Sequence, residues 1–132
     1  MNILTPTADG SYTLYNETIG EHYHSKHGAF QESKHVFIDA GLKHAAQNFP
    51  DELISILEIG FGTGLNFLMT SAYADAKQLA FRYTGIEAFP LTISALCSTN
   101  YDKYVPPYIW DLFIGNYQTA LANSTVLNQK QD

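Results

Sequence analysis

The spacing of apolar positions divides the chain into segments of different period. In TADGSYTLYNETIGEHY, residues 7–23, turn residues (Asp9-Gly10, Asn16, Gly20) interrupt short alternations of Tyr, Thr and Leu, the pattern of one or two small hairpins. From Gln31 to Phe49 the apolar residues Val36, Phe37, Ala40, Ala45 and Phe49 recur near helical spacing, and Pro50 ends the pattern, which predicts a helix. LISILEI, residues 53–59, is almost continuously aliphatic. It is short for a helix and suits a parallel strand buried on both faces. Leu65, Phe67, Leu68 and Ala72 predict a helix to about Lys77, and FRYTGIEAF, residues 81–89, a second strand rich in β-formers. Residues 53–89 thus read as one β-α-β unit with the usual right-handed crossover. Beyond Pro90, LTISALCS predicts another helix, YIWDLFIG (108–115) a third strand, and QTALANSTVLNQKQD (118–132) a short helix with a polar tail.

Composition narrows the class. A chain of 132 residues is one small domain, 45% hydrophobic and 15% charged without a low-complexity tract, which argues against disorder. Cys97 is the single cysteine, so no internal disulfide forms and a reducing, cytoplasmic setting is expected. The plain structural reading of Cys97 is a small buried hydrophobe. MNILTPTADGSY has neither a basic nor an apolar leader region, and no run approaches the roughly 18 apolar residues of a spanning helix, so no membrane association is expected. A net charge of -6 leaves no basic footprint for nucleic acid on composition alone.

The chemistry concentrates in LEIGFGTGLNF, residues 57–67. Glycines at a strand-to-helix turn let backbone approach a ligand and leave helix N-terminal amides facing it. A dinucleotide fingerprint anchored at Gly60 and Gly62 needs glycine at 65, where Leu65 stands, and no Gly-Lys-Ser/Thr follows for a phosphate loop. What remains is Glu58, one intervening residue, then Gly60, Gly62 and Gly64 at alternate positions. Glu87, at the end of the second strand, lies about 20 residues beyond the turn, where a carboxylate accepts ribose hydroxyls. Alone, Glu87 reads equally as a solvated charge, and the glycines, less readily, as a merely structural tight turn. In this order, on these elements, they point to a cofactor that contains a nucleoside.

These residues carry a resemblance. The acid followed by G-x-G-x-G resembles the first motif of class I S-adenosylmethionine-dependent methyltransferases. GFGTGLNF, IEAFPLT and the upstream YHSKHGAFQESKHVFI together resemble the MnmC and MnmD type, which methylates an aminomethyl group on the wobble 2-thiouridine of tRNA. The resemblance extends from about Thr7 to Leu127. It implies an α/β, Rossmann-like fold, here with an incomplete parallel sheet of its first three strands. Residues 1–30 would be an N-terminal hairpin extension and 31–132 the first half of the cofactor-binding domain. It implies S-adenosylmethionine as cofactor, with Glu58, Gly60, Gly62 and Gly64 lining its methionine part, Asn66 at the start of the following helix, and Phe61 and Thr63 among the cofactor-binding residues. Glu87 would hold the ribose, Phe89 would lie near the adenine, and Tyr23 would cover the cofactor. Glu32 matches a family acid without an assigned role. In FIGNYQ, Asn116 stands where the family shows Asp after Gly, and its carbonyl oxygen can still accept from the adenine amine.

The family's Asp-Gly/Ala-Phe-x-Pro strand and its Asn-Pro and Trp, which receive the amine, find no counterpart before Asp132. The chain is therefore expected to be the N-terminal portion of a longer domain, with strand 54–59 at an open edge that an oligomer or fused partner would complete. The catalytic residue is unknown, and Asp111 is a poor substitute. By resemblance the substrate is tRNA, which the acidic balance neither supports nor excludes. His22, His24, His27 and His35 crowd one region, but Lys26 lies among them and no acid stands between the first histidines, so no metal site is expected. Three functions stay open: a tRNA-modifying methyltransferase seen through its cofactor-binding portion, a catalytically inactive remnant or interaction module, and a nucleotide-dependent oxidoreductase, which Leu65 disfavours.

Overall fold

Residues 2–22 form a three-stranded antiparallel meander: β1 (Asn2–Pro6), β2 (Tyr12–Asn16) and β3 (Glu21–His22), with Leu4 opposite Leu14 and Tyr15 opposite His22. The computed structural model describes residues 1–123. Asn16 builds the second turn, its side-chain oxygen accepting from the amides of Thr18 (3.0 Å) and Ile19 (3.2 Å), while Gly20 takes the left-handed φ of 80° that closes it. At the first turn Asp9 accepts from the Ser11 amide and hydroxyl, the Thr7 hydroxyl, and the Gln31 amide 22 residues away. Burial alone would raise the Asp9 carboxyl, but these hydrogen bonds outweigh it and hold the group at about 2. Asp9 thereby pins the meander to the following helical segment.

That segment runs without a break through α1 (Ala29–Glu32), a π-helical stretch (Ser33–Leu42) and α2 (Lys43–Asn48). The helix expected over 31–49 is present, but its middle is wider. The Lys43 amide, for example, reaches back to the Ile38 carbonyl. Hydrogen bonds that span five residues shift which side chains face inward. Ser33, Ile38 and Leu42 are buried, whereas Val36 and Phe49, two of the residues that suggested the helix, are exposed.

β4 (Ile54–Ile59), α3 (Leu65–Lys77) and β5 (Phe81–Ile86) follow, and β4 pairs with β5 in parallel, Ile54 opposite Phe81 and Glu58 opposite Gly85. The inner face of this pair carries Ile54, Ile56, Phe81 and Tyr83, and the Tyr83 ring meets Phe67 of α3 and Phe37 of the π-helical stretch. Its outer face is open. Leu57 is 64% and Ile59 72% exposed, so β4 alternates between the core and solvent and is not buried on both faces as its aliphatic run suggested. No described element covers that side.

The expected parallel, Rossmann-like sheet of three strands is not what forms. The three-stranded sheet is the antiparallel β1–β2–β3, and the parallel sheet consists of β4 and β5. Residues 108–115, read as its third strand, lie instead within α5 (Pro107–Asn123). The β-branched and aromatic content misled. Ile109, Phe113 and Tyr117 recur every four residues and are buried on one stripe, and Pro107 starts the helix where its missing N–H costs nothing. The tail beyond residue 123 lies outside the described residues. α4 (Ile93–Ser98) forms as expected, capped by the Thr92 hydroxyl accepting from the Ala95 amide at 3.1 Å. Cys97 on α4 is exposed, not the buried hydrophobe its solitude suggested. A short 3-10 turn (Tyr101–Tyr104) leads into α5.

The core is aromatic at its centre. Phe61, Phe67, Tyr83, Phe113 and Tyr117 contact one another with ring centroids 5.0 to 6.5 Å apart, in tilted, stacked and edge-to-face arrangements. This cluster lies directly under the glycine turn that follows β4. Among the described residues no helix is long and apolar enough to cross a membrane.

Candidate functional site

Three left-handed glycines make the turn after β4: Gly60 at φ 82°, Gly62 at 57° and Gly64 at 76°. A side chain disfavours these angles, which is why the segment repeats glycine at alternate positions. The amides of Gly60 (2.8 Å) and Phe61 (3.2 Å) both donate to the Ile86 carbonyl, so the turn is fastened to the end of β5. One residue later Glu87 continues that fastening. Its Oε1 accepts from the Gly62 amide at 2.8 Å and its Oε2 from the Phe89 amide at 3.3 Å. An ionised carboxylate has roughly four acceptor directions. Two hydrogen bonds therefore leave Glu87 capacity for hydroxyls on its open side.

Glu58, the acid before the glycines, sits on the inner face of β4. It accepts from the Asn66 side-chain amide at 2.6 Å and the Tyr83 hydroxyl at 2.9 Å, and Ser33 donates to the Asn66 oxygen at 2.8 Å. Burial pushes the Glu58 carboxyl above its ordinary value. Repulsion from Glu87 adds to the rise, and the two hydrogen bonds oppose it. Two carboxylates that repel one another beside a bare turn favour a cation between or above them.

His24 reaches the turn from the N-terminal segment. Its Nδ1 lies 3.2 Å from Glu32 Oε1 and its Nε2 3.2 Å from the Thr63 hydroxyl. Burial lowers its pKa, against the pull of Glu32, and so favours the neutral ring. Glu32 only accepts, so Nδ1 carries the proton and donates to it, leaving Nε2 to accept from Thr63. Tyr23, held by its amide to the Leu14 carbonyl at 2.9 Å, lays its ring beside Gly62, where a Cβ would stand 3.0 Å from Cδ1.

These groups border a cleft of about 250 Å³ lined by Asn16, Ile19, Glu21, His22, Tyr23, Gly60, Glu87 and Phe89. Phe89 is 79% exposed at its rim. The fold thus gathers Tyr23, Gly60, Glu87 and Phe89 around one space, with Gly62 beside Tyr23. Glu58 and Asn66 are bonded to each other beneath the turn, and Thr63 is turned inward to His24. Phe61 points into the aromatic core, and Gly64 has no room for a side chain because a Cβ would meet Phe113 Cζ at 2.7 Å. Asn116 is exposed on α5, in a helix and not at the end of a strand. Asp111 is exposed on the same helix.

Sequence reasoning missed Ser33, Tyr83 and Ile19 as parts of this site, and met His24 only as one of a cluster of histidines. Parallel pairing with an inward Tyr83 two pairs below Glu58 was a usable signal for one of them, and the unexplained acid Glu32 for another. A wider cleft of about 480 Å³ beside Asp9, Gln31, Lys34 and Asp39 is edged by the Lys34–Asp39 ion pair and contains none of the turn residues. Among the described residues no group of three or more His, Cys, Asp or Glu is placed to hold a metal ion.

No protein-family model matches the chain. Curated proteins do. The tRNA 5-methylaminomethyl-2-thiouridine biosynthesis bifunctional protein MnmC of Polaromonas naphthalenivorans is 38% identical over 133 residues, covering 92% of this chain and 20% of that protein. The protein of the same name from Acidovorax sp. (strain JS42) is 35% identical over 88 residues, 64% of this chain and 14% of that protein. Among solved structures, MNMC2 from Aquifex aeolicus matches with a TM-score of 0.59 and 32% identity, over 70% of this chain and 31% of that one. The chain therefore spans a fifth or less of the length of these curated relatives.

Proposed function

From the homology of this chain to one part of the MnmC tRNA-modification proteins, we propose that it is the cofactor-binding portion of an S-adenosylmethionine-dependent methyltransferase. The substrate in this reading is the aminomethyl group of a wobble 5-aminomethyl-2-thiouridine in tRNA. The observation that carries it is Glu87, which fastens the Gly62 amide on one side and keeps acceptor capacity on the other, at a cleft rimmed by Phe89 and Tyr23. Nothing in that arrangement favours a dinucleotide. Leu65, where a dinucleotide turn has its third glycine, is buried at the start of α3.

The donor fits the residues present. S-adenosylmethionine supplies a methyl group on a sulfonium, which passes in line to a neutral amine. Glu87 would take the ribose hydroxyls, Phe89 and Tyr23 the base, and Gly60, Gly62 and Gly64 the close approach of the amino-acid part. Glu58 and Asn66 hold the turn from below, and the two acids complement the cofactor's positive charge. In this reading the chain binds and orients the donor, and Asp111 on α5 takes no part.

Calorimetric titration with S-adenosylmethionine, with NAD as control, tests the proposal. Saturable binding of the first alone is the expected result, and binding of NAD alone would replace it with a dinucleotide site. The pH dependence adds a second check. Glu58 is shifted upward in the free chain, and a cation nearby favours its ionised form. Affinity should be highest where Glu58 is already ionised and should fall as pH drops through its raised pKa. Titrations between pH 7.5 and 5 read this, and Glu58→Gln should flatten the profile.

A further inference from the structure

The glycine turn holds a problem of its own. Gly62, Thr63 and Gly64 form a stretch in which two of three residues lack side chains, and glycine loses more conformational freedom on ordering than any other residue. Such a turn keeps a ligand-ready shape only if something outside it supplies the restraint. Thr63 provides the single side-chain handle in those three positions. That handle is gripped by His24, 39 residues earlier in the chain.

We infer that His24 is a positioning residue for the cofactor site, holding the Gly62–Gly64 turn through the Thr63 hydroxyl while Glu32 fixes its ring. Three observations carry this. The ring is largely but not fully buried, its side chain 11% exposed, and both nitrogens are engaged, Nδ1 by Glu32 and Nε2 by Thr63 at 3.2 Å each. Its backbone is anchored independently, the His24 amide donating to the Thr13 hydroxyl at 2.9 Å on β2 and the Ser25 amide to Glu32 at 3.4 Å. The neighbouring Tyr23 lies beside Gly62, so consecutive residues of the N-terminal segment touch consecutive residues of the turn. Glu87 restrains the Gly62 amide from the β5 side and His24 restrains Thr63 from the other. The N-terminal meander then acts on the ligand through two consecutive contacts, without His24 touching the ligand. The inference rests on the cofactor-binding reading for its consequence, though not for its geometry.

The test uses two readouts on the 132-residue chain. Hydrogen exchange of the Gly62 amide, which donates to Glu87, reports the order of the turn without any ligand. Titration with S-adenosylmethionine reports the consequence. His24→Ala is expected to speed Gly62 exchange and weaken affinity by about tenfold each, while exchange in α3 and β5 stays at the parent rate. Thr63→Val should do the same, and the double variant should lose clearly less than the sum of the two single losses, because both substitutions remove the His24–Thr63 contact. His24→Gln places an amide oxygen where Nε2 stands and should restore most of the protection. Should His24→Ala speed exchange equally throughout the core, or should its loss add in full to that of Thr63→Val, the positioning role is overturned and His24 is only part of the packing. A parent chain that takes up no S-adenosylmethionine while Gly62 exchange still responds to His24 overturns the ligand assignment and supports the restraint.

Discussion

Replacing Glu87 with Ala is expected to weaken S-adenosylmethionine binding by about a hundredfold or more, the largest loss from any single substitution at the site. Hydrogen bonds to a charged group contribute about 1.5 to 3 kcal/mol each, and Glu87 in the proposed complex would make two to the ribose hydroxyls. A second effect adds to this. The same carboxylate accepts from the Gly62 amide at 2.8 Å, so its removal frees the turn that the cofactor must contact. Glu87→Gln separates the two effects, since the amide oxygen can keep Gly62 while the NH2 meets one hydroxyl from the donor side. It should lose less than Ala. Titration calorimetry of both variants, with circular dichroism to establish that each is folded, makes the comparison. An alanine variant that binds within about threefold of the parent would remove Glu87 from the site.

Gly64→Ala should cost stability, and for a different reason. Gly64 has φ 76°, and holding alanine in the left-handed region costs about 1 to 2 kcal/mol. Its Cβ would also stand 2.7 Å from Phe113 Cζ and 3.1 Å from Phe61 Cε1, two buried rings in one packed cluster that have no free direction to move. Overpacking of this kind adds about 1 to 3 kcal/mol. The sum is a large part of the 5 to 15 kcal/mol that holds a domain together. Gly60→Ala is the internal control. Gly60 has a similar φ of 82°, but nothing lies within 4 Å of the added carbon, so it should show the backbone cost alone. Urea unfolding of the two variants should therefore separate them, with Gly64→Ala lower. Equal midpoints would mean that the aromatic cluster yields to the extra methyl.

Much of the fold could be read directly from the residues, and the failures share a cause. The aliphatic run at 53–59 and the helix at 65–77 were recognisable because local period, length and flanking glycines agree. YIWDLFIG misled because β-branched and aromatic residues were weighed above their spacing of four, which is the spacing that α5 uses to bury Ile109, Phe113 and Tyr117. An aliphatic strand looks the same in sequence whether one or both of its faces are covered, so the open side of β4 could not be seen there. Nor does any local signal announce a π-helical stretch that buries Ser33 in place of Val36. At the site, the alternate glycines and Glu87 were evident because each is a local feature of a strand end. The contacts of His24 with Glu32 and Thr63 were not, since a hydrogen bond between residues far apart in the chain leaves no periodicity to detect.

The open outer face of β4 and β5 has a calorimetric consequence. Unfolding raises heat capacity in proportion to the apolar surface newly brought into water. Leu57, Ile59 and Ile86 are already more than half in water in the folded chain, so their contribution to that increment is small. The stability of these 132 residues should accordingly vary with temperature along a flatter curve than a fully covered domain of equal length would follow. Its dependence on denaturant should be shallower for the same reason.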